Sequence, residues 1–220
     1  MRLLHPDRTQ QLVKALLITL TAATLAVLIF IITYLLIKGL PVFGLSFFTG
    51  PAVDMGRAGG IFPFVVSTVF LTLVALAIAT PLGVGTAIYL TEYTREGRAT
   101  QVIRFAAECL AGVPSIILGL FGFVTFVLYL KLGWSVLSGG LTLAIMVLPT
   151  IIRTSEEAIV AVPRAQREVS YSLGGTRWQT VVRVVLPGAL PGIVTGVMLS
   201  IGRCIGETAA VIFTAGSSRR

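Results

Sequence analysis

Apolar runs of membrane-spanning length recur from one end of this 220-residue chain to the other. The first, residues 15–37, has no Asp, Glu, Lys or Arg. As an α-helix at 1.5 Å per residue it reaches roughly 35 Å, enough to cross the hydrocarbon core of a bilayer. Further runs cover 61–90, 109–130, 132–152 and 188–214. Hydrophobic residues make up 55% of the chain and charged ones only 12%, against about 25% charged in an ordinary soluble domain. A soluble fold could not hide that much apolar surface, so the expected class is all-α, a polytopic membrane helix bundle of about five spans solvated by lipid. A cleaved signal peptide would show an apolar core of about 7–15 residues and a small-residue cleavage site. The first run shows neither and is taken as a retained helix.

Local breakers divide the chain further. Residues 39–60 begin with Gly39-Leu-Pro41, end with Gly59-Gly60 and hold Phe47-Phe48 between, which predicts a loop with an interfacial turn. The run 61–90 is too long for one straight crossing, and Pro81-Leu-Gly83-Val-Gly85 is expected to bend or end it. Gly112-Val-Pro114-Ser and Gly139-Gly140 mark further breaks. The single Lys131 between two runs predicts a very short loop and an antiparallel helical pair.

Lys and Arg alternate along the loops as three (Arg2, Arg8, Lys14), two (Lys38, Arg57), three (Arg95, Arg98, Arg104), one (Lys131) and five (Arg153, Arg164, Arg167, Arg177, Arg183). By the positive-inside rule the segment 1–14, loop two and loop four (153–187) are cytoplasmic. The tail 215–220 then lies outside, where Arg219 and Arg220 sit awkwardly with the rule. Either the tail is short enough to translocate, or the protein continues into a sixth helix.

This distribution also explains the net charge of +8 better than nucleic acid does, because no stacking aromatics interleave the basic residues. The only histidine is His5, and Cys109 and Cys204 stand far apart in apolar sequence. That inventory offers no metal site, disulfide framework or imidazole-assisted nucleophile, and it weighs against an intramembrane hydrolase.

Loop four carries the most information. Pro163 suits a first helical turn, Gly174-Gly175 a left-handed helix stop, and Thr176-x-x-Gln179 a capping box for a second helix. Thr154-x-x-Glu157 makes another capping box upstream. One reading is an amphipathic linker on the membrane surface. The other rests on spacing: Glu168, Gly174 six residues on, and the closing Leu186-Pro187. These resemble the EAA loop of ATP-binding-cassette importer permeases, Glu-Ala-Ala-x3-Gly-x9-Ile-x-Leu-Pro. Val169 and Ser170 stand where alanines are usual, and Val184 where isoleucine is. Gly59-Gly60-Ile61-x-Pro63, Ile88-Tyr-Leu-Thr-Glu-Tyr93, Leu110-Ala-Gly-Val-Pro-Ser-Ile116, Gly119-Leu-Phe-Gly122, Ile152-Arg-Thr-Ser-Glu-Glu-Ala158 and Ile201-Gly-Arg-Cys-Ile-Gly-Glu-Thr208 are similar to the PstA-type phosphate permeases. The sister PstC type shares several of these blocks.

The resemblance implies a MetI-like fold of six spans, of which the last helix and its preceding loop are absent here, and a multi-pass place in the bacterial inner membrane. It implies a transport subunit without a cofactor or catalytic residues of its own. Its partners would be a PstC-like second permease, a PstB-like ATPase dimer, a PstS-like periplasmic binding protein, inorganic phosphate and membrane lipid. No Gly-x4-Gly-Lys-Ser/Thr phosphate loop occurs in the chain, in keeping with ATP chemistry supplied by a partner. Coupling to the ATPase would fall to Glu168, Ser170, Gly174, Gly175, Thr176, Trp178, Leu186 and Pro187, with Trp178 either a contact anchor or an interfacial residue facing headgroups. A permease for another oxyanion is the nearest alternative; a membrane enzyme or a membrane scaffold is more distant.

Arg203 and Glu207 lie deep in the fifth apolar segment, four residues apart, and on a continuous helix would share one face. Charges within a span cost about 2.5–3.5 kcal/mol each and face protein interior or a water-filled path. They are either a structural ion pair or the phosphate path, with Arg203 attracting the anion and Glu207 accepting a hydrogen bond from its proton. Arg104 and Glu108 repeat the spacing near a membrane edge, where a surface pair is expected.

Overall fold

The computed structural model describes residues 6–53, 58–94 and 97–216; His5, Arg57, Arg95 and the Arg219-Arg220 end of the tail lie outside them. The described chain is helical apart from one small hairpin, β1 (Ala52–Val53) paired antiparallel with β2 (Ala58–Gly59). It divides near residue 62 into two compact units.

The first unit opens with α1 (Pro6–Gly39). Its apolar side chains are exposed all round, Leu16 at 59% and Phe30 at 69%, a pattern that suits a helix immersed in acyl chains. Thr19, Thr21 and Thr24 turn their hydroxyls back onto the carbonyls four residues earlier at 2.8–2.9 Å, so these three donors are satisfied within the helix. Residues 39–60 hold more structure than a plain loop. A 3₁₀ turn at Leu40–Val42 leads into α2 (Leu45–Thr49) and the hairpin. Phe43, Phe47 and Phe48 cluster there with ring centroids 5.5–5.7 Å apart.

The second unit is built on α6 (Val136–Ala161). Leu143, Val147, Ile151, Ser155 and Ile159 recur at every fourth position and are all buried to within 1%, one continuous stripe of a helix enclosed by neighbours. Helix α3 (Phe62–Ile88) lies parallel to α6. A Cβ at Gly139 would meet Leu71, one at Gly140 would meet Val74, and one at Gly83 would meet Ile151. Helix α9 (Leu186–Gly206) runs antiparallel to α6. There Gly188 faces Val162, Gly192 faces Ala158 and Gly196 faces Thr154, with the buried Ser200 continuing the four-residue period. Apolar burial gives little drive between helices in lipid, so such close backbone approach through small residues supplies the packing energy instead.

Several expected boundaries shift. The run 109–130 is not one helix. Helix α4 (Arg98–Ala111) ends at Gly112, and the chain turns 101° before α5 (Ser115–Gly122), which a π-helical segment extends through Phe123–Tyr129. Pro114 lacks an N–H and forces Val113 out of helical geometry, which makes that break. Gly139-Gly140, expected as a break, sit inside α6 where their lack of side chains admits α3. Pro81 does not end α3, which continues to Ile88 and a π-helical turn at Tyr89–Tyr93. Helix α6 outruns its apolar stretch by nine residues, because Arg153, Glu156 and Glu157 are good helix formers with sideways partners. Thr154 is therefore no cap; its hydroxyl donates to the Thr150 carbonyl at 2.8 Å.

Among the described residues, four helices are long and apolar enough to cross a membrane, Gln10–Gly39, Phe62–Tyr93, Val136–Ala161 and Arg177–Gly206, and the bent pair of α4 and α5 with its extension makes five if it counts as one span. The α6–α9 contact is testable. Gly196→Leu, which drives a side chain into Thr154, should lower stability by about 1–3 kcal/mol, measured as a lower unfolding midpoint of the detergent-solubilised protein. Gly202→Ala, where a Cβ meets nothing within 4 Å, should not lower it.

Candidate coupling hairpin and membrane charge site

The segment 153–187 consists of the end of α6, then α7 (Arg164–Ser172), then α8 (Arg177–Thr180). Pro163 precedes α7 with extended backbone. Gly174 takes φ +81°, a left-handed conformation that glycine adopts without a steric penalty. Around it the amides of Gly174 and Gly175 donate to the carbonyls of Tyr171 and Ser170 at 2.9 and 3.0 Å. Thr176 and Gln179 form the reciprocal box: the Gln179 amide donates to Thr176 Oγ1 at 3.3 Å, and the Thr176 amide to Gln179 Oε1 at 2.9 Å. Ser170 Oγ and Thr180 Oγ1, 2.8 Å apart, pin the two helices together. The result is a rigid hairpin whose outer face exposes Val169, Leu173 and Trp178 at 60%, 84% and 65%. Glu168 is exposed and lines a cleft of about 410 Å³ with Arg164, Tyr171 and Arg177.

Leu186 and Pro187 do not stop a helix. Helix α8 flows through a π-helical turn, Val181–Val185, into α9, and Pro187 occupies its second residue. A proline ring clashes with the carbonyl four residues back, and the wide turn just before it removes that clash.

A second anchor was invisible to spacing. The Arg167 guanidinium donates to Glu92 Oε1 from Nε at 3.1 Å and from Nη2 at 2.9 Å, and to the carbonyls of Val162 at 2.5 Å and Ile159 at 2.8 Å. Its side chain is 16% exposed and that of Glu92 9%. Removing one partner from so enclosed a pair costs about 3–5 kcal/mol, because the other charge is left uncompensated. The two residues stand 75 positions apart, which no local pattern can link. The available signal was Glu92 itself, an acid ending a long apolar run, where its charge needs a cation.

Arg104 and Glu108 do not pair with each other. Arg104 meets Glu156 at 2.5 Å, and Glu108 meets Arg153 at 2.6 Å, with Glu157 also beside Arg153. The Arg104–Glu156 and Arg153–Glu108 bridges join α4 to α6, and their four side chains line a cleft of about 360 Å³ with Pro149 and Thr150.

Arg203 and Glu207 do not share a helix face either. Helix α9 ends at Gly206, Glu207 is extended (φ −81°, ψ 130°), and α10 (Ala209–Thr214) follows. The Glu207 carboxylate accepts a hydrogen bond from the Ala210 amide at 3.2 Å. It satisfies an N-terminal donor of α10, which takes the backbone out of the helical register that an i,i+4 pair needs. Among the described residues no salt bridge joins the two. Both side chains are half-buried. Helix α10 is seated against α5, with Gly119 facing Ala210 and Phe213, and Gly122 facing Thr214.

This arrangement of helices has known counterparts. The chain superposes on a chain of the MetNI methionine ABC transporter in an inward-facing conformation with a TM-score of 0.56, covering 67% of this chain and 68% of that one at 23% identity, a likeness of fold. It is 35% identical over 87% of its length to the probable ABC transporter permease protein YqgI of Bacillus subtilis. It is 44% identical over 73% of its length to the phosphate transport system permease protein PstA 1 of Mycobacterium tuberculosis. The chain spans 65% and 53% of those two relatives' own lengths. A family model described as the binding-protein-dependent transport system inner membrane component matches residues 79–219, from the second half of α3 through the α7–α8 hairpin to the tail. By that match the chain belongs to the family of binding-protein-dependent transport system inner membrane components.

Proposed function

We propose that this chain is the permease subunit of an ATP-driven phosphate importer, multi-pass in the bacterial inner membrane with its amino terminus in the cytoplasm. The likeness to phosphate transport system permeases, 44% identical in the Mycobacterium tuberculosis protein, carries the reading of cargo. The same family implies a substrate-binding protein outside and an ATPase inside; here they would be a PstS-like protein, a PstB-like ATPase dimer and a PstC-like second permease. Parallel α3 and α6 with antiparallel α9 suit a topology in which the basic segment 153–187 faces the cytoplasm.

The hairpin supplies the coupling. Its capped helices continue through Val181–Val185 into α9, so a push on the Gly174 turn reaches a span through unbroken helix, as ATP-driven closure requires. Val169, Leu173 and Trp178 form an apolar face for the ATPase, with Glu168, Ser170, Gly175 and Thr176 holding its shape and Leu186-Pro187 joining it to the span. Gly174→Asp should weaken co-purification of the ATPase about tenfold, equivalent to about 1.4 kcal/mol, and abolish uptake. Unchanged association and uptake would remove the coupling role.

Arg203 and Glu207 form the charged site of the path, acting separately and not as an ion pair. Arg203 offers forked donors to the anion, and Glu207 can accept a hydrogen bond from the proton that phosphate keeps near neutral pH and sulfate lacks. Arg203→Gln should abolish uptake of radiolabelled phosphate with assembly intact. Glu207→Gln retains an acceptor for the Ala210 amide yet loses the charge, so it should admit sulfate in a binding-protein-independent assay. If both variants lose assembly and neither alters transport separately, the residues are structural.

A further inference from the structure

Arg167 joins three elements: α7, which carries it, the end of α6 through the carbonyls of Ile159 and Val162, and the π-helical end of α3 through Glu92. We propose that the Arg167–Glu92 pair is the relay by which movement of the coupling hairpin reaches α3, which makes Arg167 a positioning residue for transport. This rests on the coupling role given to the hairpin above.

The connectivity leaves α3 without a backbone link to the hairpin. Helix α9 receives hairpin movement through its own backbone, because α8 runs directly into it. Helix α3 has no such continuity, since its last turn, Tyr89–Tyr93, is separated in sequence from α7 by α4, α5 and α6. Apolar packing joins Ala87 of α3 to Ile159, Val162, Val185 and Ala189, and among the described residues two polar side-chain contacts cross from that turn to the hairpin. One is Arg177 over the Tyr93 ring, 5.6 Å from its centroid, a loose contact at an exposed site worth about 0.5–1 kcal/mol. The other is the enclosed pair of Glu92 with Arg167. A planar guanidinium holding a carboxylate and two carbonyls at once is fixed in orientation, so displacing α7 displaces Glu92 with it.

The relay is also separable from folding. Glu92 lines the cleft of about 410 Å³ together with Arg164, Glu168 and Arg177; Arg167→Met leaves the Glu92 carboxylate uncompensated and costs stability, so the conservative variants carry the separation. Glu92→Gln keeps an oxygen acceptor for Arg167 and removes only the charge. Arg167→Lys keeps the charge but cannot reach carboxylate and both carbonyls from one rigid plane.

The test uses the full chain assembled with its ATPase, second permease and binding protein in proteoliposomes, with radiolabelled inorganic phosphate as the probe. The quantity read is phosphate moved per ATP hydrolysed. Glu92→Gln should bind the ATPase at the unmodified level and still support ATP hydrolysis, while the ratio falls at least about fivefold, and Arg167→Met should lower the ratio likewise in the fraction that assembles. Arg167→Lys should recover part of it, and the double variant should be no worse than Arg167→Met alone. An unchanged ratio in assembled Arg167→Met and Glu92→Gln overturns the relay and leaves the coupling hairpin intact. Loss of assembly in Arg167→Met, with Glu92→Gln and Arg167→Lys at the unmodified ratio, also overturns it. No ATP-driven phosphate uptake by the unmodified assembly would overturn the transport reading itself.

Discussion

The close approach of α6 to α3 on one side and α9 on the other is the contact on which the second unit depends. Glycine supplies it on both sides: Gly139 and Gly140 of α6 and Gly83 of α3 at the first contact, Gly188, Gly192 and Gly196 of α9 at the second. In water such a core would be driven by removing apolar surface from solvent, but in hydrocarbon that term nearly vanishes and contact distance decides. The wholly buried stripe from Leu143 to Ile159 follows from it. The end of α6 also gathers charged partners, Arg104 and Glu108 from α4 and Arg167 from α7.

The second constraint is the backbone itself. Pro81, Pro149 and Pro191 lie inside helices, and each removes a donor from the ladder. Nearby hydroxyls take the opposite part by folding onto carbonyls: Thr86 onto Leu82, Thr154 onto Thr150, and Thr195 onto Pro191. These hydroxyls are thus absorbed locally, whereas the buried hydroxyls of Thr72 and Ser155 have no hydrogen-bond partner among the described residues.

Sequence spacing made the spans and the hairpin legible because both are local. Thr176-x-x-Gln179 and the Gly174 turn are decided within four residues, and the structure has both. Boundaries and charge partners were not legible, for one shared reason: they depend on neighbours distant in sequence. Gly139-Gly140 look like breakers until α3 is beside them, and Thr154-x-x-Glu157 looks like a cap until α4 offers Arg104 and Glu108 to the same turn. Arg203 and Glu207 mislead in the other direction. Their four-residue spacing assumes an unbroken helix, whereas Glu207 spends its carboxylate on the start of α10.

The wide turn at Val181–Val185 fixes how the hairpin is aimed. A π-helical turn holds one residue more than an α-helical turn, and each residue rotates a helix by about 100° while advancing it about 1.5 Å. The glycine stripe of α9 must face α6, which sets the azimuth of that helix; the extra residue then lets α8 point in a direction of its own. A strictly α-helical junction would swing Trp178 and the Gly174 turn about a quarter of the way round the axis of the span. Whether 181–185 winds as a wide or an ordinary turn is therefore a matter of bearing, set by which face of α8 stands over the glycine stripe.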